Sequence, residues 1–166
     1  GVIVPLVHTA DDAERAVAAA KFPPRGVRGY SFTRTNDWGK DFDAYAASAN
    51  EDVAVVAMIE SKEGVHNIDA ILDIDGIDGV FIGPYDLSGS YGVPGQTSHT
   101  DVVAGCEAVV KACADVGKSA GLHVVFPTQD AISTAIADGF TFIALGLDVV
   151  FLREGATEAV REARGQ

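Results

Sequence analysis

Short, almost purely apolar runs alternate along this chain with longer stretches in which apolar residues recur every third or fourth position. Five such runs stand out: Val2-Ile3-Val4 within Gly1 to Val7, Val53 to Ile59, Val80-Phe81-Ile82, Gly121 to Phe126, and Phe142 to Gly146. They are rich in β-branched residues and show little polar alternation, as expected of parallel strands covered on both faces. Between them the helical period dominates. Thr9 caps a predicted helix through Ala20, with Asp11, Asp12 and Glu14 in its first turn, where the helix dipole favours negative charge. Phe42 to Ala49 reads as a short helix. Ser61 caps a helix whose apolar face is Val65, Ile68, Ile71 and Leu72 and which stops in the Asp73 to Gly76 turn. Asp101 to Val116 is a helix burying Val102, Val103, Cys106, Val109, Val110 and Cys113, and Gly117 ends it. Thr128 to Ala137 and a terminal helix reaching Arg164 complete the series.

Strand–helix alternation of this kind implies a parallel α/β architecture in one domain. Two arrangements satisfy it: a complete open, doubly wound sheet, or five strands of a (β/α) barrel, which typically needs about 250 residues. The chain opens at Gly1, without an initiator Met and inside a predicted strand. That start is the one expected of a longer barrel whose N-terminal strands precede Gly1, so residues 1–166 read as a single partial barrel domain holding its C-terminal five strands.

The connecting segments carry the irregular chemistry. Phe22 to Gly29 contains two prolines and two glycines and is a shaped loop; Ser31 to Gly39 is polar and aromatic, a candidate lid or interface; Ser88 to Gln96 is glycine-rich and placed to be a substrate-side loop. Val53 to Ser88 organises the rest. Its two strands end in Glu60 and in Gly83-Pro84-Tyr85-Asp86, joined by one crossover helix. Such a unit is right-handed, its neighbouring strands lie about 4.8 Å apart, and both acids emerge on the rim where α/β proteins bind ligands. Paired carboxylates suit a hard cation that keeps sites for water and substrate oxygens; solvated rim acids or helix caps are the plainer alternative.

Composition narrows the partners. Of 166 residues 48% are hydrophobic, and 24 acidic residues against 12 Lys plus Arg give a net charge of −12, with no basic cluster, which disfavours nucleic acid and anionic membrane. No apolar run approaches the ~20 residues that span a bilayer. Cys106 and Cys113 lie two helical turns apart, roughly 10 Å, too far for a disulfide, which favours core thiols in a reduced, cytoplasmic protein. Of the four histidines, His8, His66 and His99 suit surface or capping positions, whereas His123 lies in a strand facing the Glu60 rim, as a core residue or a support to the site. No GxGxxG or GxxxxGK[ST] pattern is present, and neither Ser88 nor Ser90 sits in a nucleophile elbow.

The motifs resemble a known family. Val4 to Val7, the Pro23-Pro24-Arg25-Gly26-Val27-Arg28-Gly29 run, Ile59-Glu60, Asn67 to Leu72, Gly121-Leu122, Phe142 to Asp148 and above all Gly76 to Ser88, with its GVFIGPYDLS sequence, are similar to the HpcH/HpaI aldolase and citrate lyase family. The resemblance implies a TIM barrel whose rim holds a divalent metal (Mg²⁺, Mn²⁺ or Co²⁺) and which reversibly cleaves 4-hydroxy-2-oxo acids to pyruvate and an aldehyde. It implies Glu60 and Asp86 as metal ligands, with Met58, Gly83, Pro84, Tyr85, Asp86 and Leu122 on the substrate side. Met58 departs from the family pattern, in which a Gln often stands there. The family's catalytic His and substrate-binding Arg belong to earlier strands, upstream of Gly1. A CoA-ester lyase of the citrate lyase or malyl-CoA lyase type, and a non-catalytic structural fragment, are the other readings. The resemblance also implies a homo-oligomer, with Val149-Val150-Phe151-Leu152 packing on a neighbouring subunit.

Overall fold

The computed structural model describes residues 1–165. Its strands β1 (Val2–Val4), β2 (Val55–Ile59), β3 (Gly79–Ile82), β4 (Ser119–Val124) and β5 (Phe142–Leu145) form one parallel sheet in the order β1-β2-β3-β4-β5. That order settles the choice between architectures. A doubly wound sheet reverses direction at a switch point, whereas here every strand pairs with its sequence neighbour, as in a barrel. The five strands form a curled half-barrel with helices on its outer side.

Helix α1 (Ala10–Ala20) opens with a capping box: Asp12 N–H donates to Thr9 Oγ1 at 3.2 Å, and Thr9 N–H donates to Asp12 Oδ2 at 2.9 Å. Amides of His8 and Thr9 on this carboxylate hold the Asp12 pKa below its ordinary value, against the opposing effect of burial. Helix α2 (Phe42–Asp52) leads into β2. The single helix expected after Ser61 is two, α3 (Lys62–His66) and α4 (Ile68–Leu72), broken at Asn67. The side chain of Asn67 is committed to the carbonyl of His8, 2.8 Å away, which ties the break to the β1 rim. The GPYDLS run is also more ordered than a turn. Pro84 starts α5 (Pro84–Ser90), its fixed φ suiting a first helical position. Ser88 is fully buried and accepts from Gly95 N–H at 2.8 Å, so part of the glycine-rich run is anchored rather than flexible. Helices α6 (Thr100–Asp115), α7 (Gln129–Ala137) and α8 (Asp148–Ala163) follow, and His99 and Thr128 cap α6 and α7 through their side chains.

The core lies between the outer sheet face and the helices. Val55, Ala57, Ile59, Val80 and Ile82 are each 0% exposed and pack on Ile71, Leu87, Val102 and Val109. Within α6, Val103 is 41% exposed, contrary to the buried face expected for it; Gly105 and Ala112 turn inward instead. Of the run Gly1 to Val7 only Val2–Val4 is regular strand, pairing with β2 along one edge, and Val7 is buried.

Cys106 and Cys113 are free thiols, both pushed up by burial from 9.0 to about 11. A rise of two units cuts the thiolate fraction about a hundredfold, so both are expected to react with a disulfide reagent at pH 8 about a hundred times more slowly in the folded protein than in denaturant. Because the folded thiols hold their protons more tightly, their contribution to stability is complete below pH 9 and is lost as pH rises towards 11. Rapid titration of both thiols in the native protein would contradict this placement.

Candidate functional site at the carboxyl rim

The register sets the site. Ile59 pairs with Ile82, so the next residues, Glu60 and Gly83, stand side by side beyond the strand ends. Glu60 is a buried carboxylate, 8% exposed, and its Oε1 accepts from the Leu6 amide at 2.9 Å. A Cβ on Gly83 would lie 3.0 Å from both Cβ and Oε2 of Glu60, so glycine here lets the carboxylate rest against the turn without being displaced. Asp86 follows on the first turn of α5, exposed to solvent. Glu60 and Asp86 line one cavity of about 690 Å³ together with Met58, Gly83, Pro84 and Tyr85.

The inner sheet face forms the floor. Met58 pairs with Phe81 and Phe81 with Gly121, which places His123 on the same face two residues further along β4. Gly121 leaves room for the rings of Phe81 and Phe142, whose centroids are 5.4 Å apart. His123 lines the cavity and its Nε2 donates to the Gly146 carbonyl at 2.8 Å, which fixes the ring and leaves Nδ1 free of that bond. Leu122 borders the same cavity, but its register partner is the fully buried Ile82 and its side chain packs on the core. Phe81 and Leu6 escaped notice in the sequence, and His123 was ambiguous there. The period-two alternation that places Phe81 and His123 beside Met58 was available; the Leu6 contact was not, since nothing local to residue 6 signals a bond to residue 60.

Two oxygen donors of this kind fit a hard divalent cation, which tolerates a partly aqueous shell. Among the described residues no three or more His, Cys, Asp and Glu side chains are placed to hold one metal ion, so the remaining positions would fall to water and substrate. A larger depression, about 900 Å³, opens at the opposite rim among Asp69, Asp73, Asp75 and Asp78. Its cations are occupied structurally. Lys21 Nζ donates to the carbonyls of Asn50 and Val53 at 2.7 and 2.5 Å, and Lys118 Nζ to that of Leu72 at 2.5 Å. Barrel chemistry sits at the carboxyl rim, so the smaller cavity is the candidate site.

Comparison with known proteins identifies the family of this fold. The profile described as HpcH/HpaI aldolase/citrate lyase matches residues 1–154. The 2-keto-3-deoxy-L-rhamnonate aldolase of Salmonella dublin is 41% identical over 92% of the chain and 57% of its own length. The hydroxypyruvate/pyruvate aldolase of Roseobacter denitrificans is 40% identical over 91% of the chain and 59% of its own length. The crystal structure of an HpcH/HpaI aldolase/citrate lyase family protein from Burkholderia cenocepacia superposes with a TM-score of 0.87 at 32% identity, covering 98% of this chain and 64% of that one. The chain thus spans about three fifths of the length of the relatives it matches. With its strand order, its rim acids and this likeness in hand, the chain belongs to the HpcH/HpaI aldolase/citrate lyase family.

Proposed function

We propose that the full-length protein is a class II, metal-dependent aldolase, a carbon–carbon lyase that cleaves a 4-hydroxy-2-oxo acid to pyruvate and an aldehyde. The observation that carries this reading is the buried carboxylate of Glu60, held against the Gly83 turn in one cavity with Asp86. Relatives bearing aldolase names support a small 2-oxo acid as substrate. Glu60 and Asp86 hold the cation, which is Mg²⁺, Mn²⁺ or Co²⁺ by the hardness of its donors. When bound, it supplies Lewis-acid stabilisation of the charge that builds on the keto oxygen as the C–C bond breaks. Leu87 is the first residue of α5 whose amide bonds within the helix, to Gly83 O at 2.9 Å. The preceding amides of Tyr85 and Asp86 receive the substrate carboxylate, with Pro84 setting their direction. Met58 bounds the substrate side, with Leu122 bordering it from the core, and in this reading proton transfer belongs to the family's catalytic His and substrate binding also to its Arg, both from earlier strands.

The protein works as a cytoplasmic homo-oligomer in this reading. Among the described residues no helix is long and apolar enough to cross a membrane. On α8, Val149, Phe151 and Leu152 are 63%, 54% and 74% exposed, an apolar face suited to a neighbouring subunit, whereas Val150, expected with them, is buried within the chain. The test is chelation. Stripping the full-length protein of metal should abolish pyruvate release from 4-hydroxy-2-oxo acids, and Mg²⁺, Mn²⁺ or Co²⁺ should restore it. Activity that survives chelation would overturn the proposal, and turnover of malyl-CoA or citramalyl-CoA alone would move it to the CoA-ester lyase reading.

A further inference from the structure

The parallel ladder between β1 and β2 loses step at the rim. Val2 N–H donates to the Ala54 carbonyl at 2.9 Å. In a parallel pair that pattern advances by two residues on each strand, so the amide of Leu6 is due at the carbonyl of Met58. Val7 reaches that carbonyl instead, at 3.4 Å. Leu6 is therefore one extra residue where the chain leaves β1, a bulge-like step of the sort that re-aims groups beside functional sites. Its backbone is left-handed, with φ +57°, a conformation that residues with a side chain seldom adopt.

Among the described residues no packing of the Leu6 side chain accounts for this, since it is 62% exposed there. What the bulge accomplishes is the release of one amide, and that amide donates to Glu60 Oε1 at 2.9 Å. The surroundings hold the segment in place. Val7 is buried, and its carbonyl lies 3.0 Å from where a Cβ on Gly64 would stand. The carbonyl of His8 accepts from Asn67, and the His8 ring is hydrogen-bonded to Ser61 Oγ at 2.6 Å. An unfavourable backbone persists where its neighbours over-determine it, and such places cluster at functional sites.

We propose that the Leu6 bulge is a positioning device for Glu60. Its amide occupies Oε1 and so fixes the plane of a carboxylate whose Oε2 then faces the Gly83 turn and a divalent cation held there with Asp86. The proposal rests on the reading of Glu60 as a metal ligand, and it adds a backbone group that sets the ligand's orientation. Such supporting groups are worth about 10–100-fold in metal affinity.

The test is Mn²⁺ binding to the full-length protein, measured by titration calorimetry and by the spin-resonance signal of free Mn²⁺, with melting followed in parallel. Variants at residue 6 are ranked by their tolerance of a left-handed backbone. Leu6→Gly and Leu6→Asn should retain wild-type affinity within about threefold, whereas Leu6→Val and Leu6→Pro should lose about 10–100-fold. Leu6→Val keeps its amide and decides the matter if Leu6→Pro fails to fold. Glu60→Ala is the reference and should lose Mn²⁺ binding. Wild-type affinity in Leu6→Val beside a lowered melting temperature would show a merely structural bulge and overturn the proposal. Retained binding in Glu60→Ala would remove the ligand reading beneath it.

Discussion

Glu60→Ala in the full-length protein is expected to lose metal-dependent cleavage of 4-hydroxy-2-oxo acids by well over a hundredfold, with the melting temperature of the metal-free protein little changed. The size follows from the proposed role of Glu60 as a direct ligand, whose loss exceeds the about 10–100-fold cost of removing a group behind one. Stability should hold for a different reason. Glu60 makes one hydrogen bond, to Leu6, and replacing a buried carboxylate by a methyl removes a desolvated charge along with that bond. Asp86→Ala should reduce cleavage similarly but leave even less trace on melting, since Asp86 is exposed. Pyruvate release, followed by a coupled dehydrogenase assay with and without added Mn²⁺, distinguishes the outcomes. Near-wild-type, chelator-sensitive turnover in either variant would remove that residue from the ligand set.

Gly83→Ala is expected to have the next largest effect, and it acts by volume alone. The added methyl would stand 3.0 Å from Cβ and Oε2 of Glu60, closer than such contacts normally run, and the backbone on either side cannot retreat because Gly83 N–H is bonded to the Ile59 carbonyl at 3.0 Å. Glu60 must give way. The substitution should cost about 1–3 kcal/mol of stability as overpacking and weaken metal binding by about 10–100-fold by turning the carboxylate. A calorimetric Mn²⁺ titration of the variant within threefold of wild type would show that the turn merely passes Glu60 without shaping it.

Much of this arrangement was legible in the residues. Glu60 and Asp86 could be placed at strand ends because Val53 to Ile59 and Val80 to Ile82 read as buried strands without reference to anything distant, and the caps Thr9, Ser61 and Thr128 announce themselves locally. The alternation alone did not separate a barrel from a doubly wound sheet, since the two differ only in which strand lies beside which; the motif resemblance pointed to the barrel, and the strand order agrees. The break at Asn67 was hidden for a related reason: the apolar spacing of Val65, Ile68 and Ile71 continues through it, while its cause is a hydrogen bond to His8. The helix at Pro84 to Ser90 was masked by its glycine and serines, whose weak propensity is overridden by the buried Leu87 and Ser88. The Leu6 bulge has no signature in hydrophobic pattern at all. A one-residue slip in register becomes visible only when the partner strand is present.

The sequential strand order has a consequence for how the chain acquires its shape. Each strand lies beside the one made just before it, so during synthesis every new strand–helix segment meets a completed edge and need not wait for a distant partner. Glu60 follows β2 directly and Asp86 stands on the first turn of α5, just past the neighbouring β3. Both acids thus come from the first three strands of the series, and β4 and β5 extend the sheet beyond the pair that carries them.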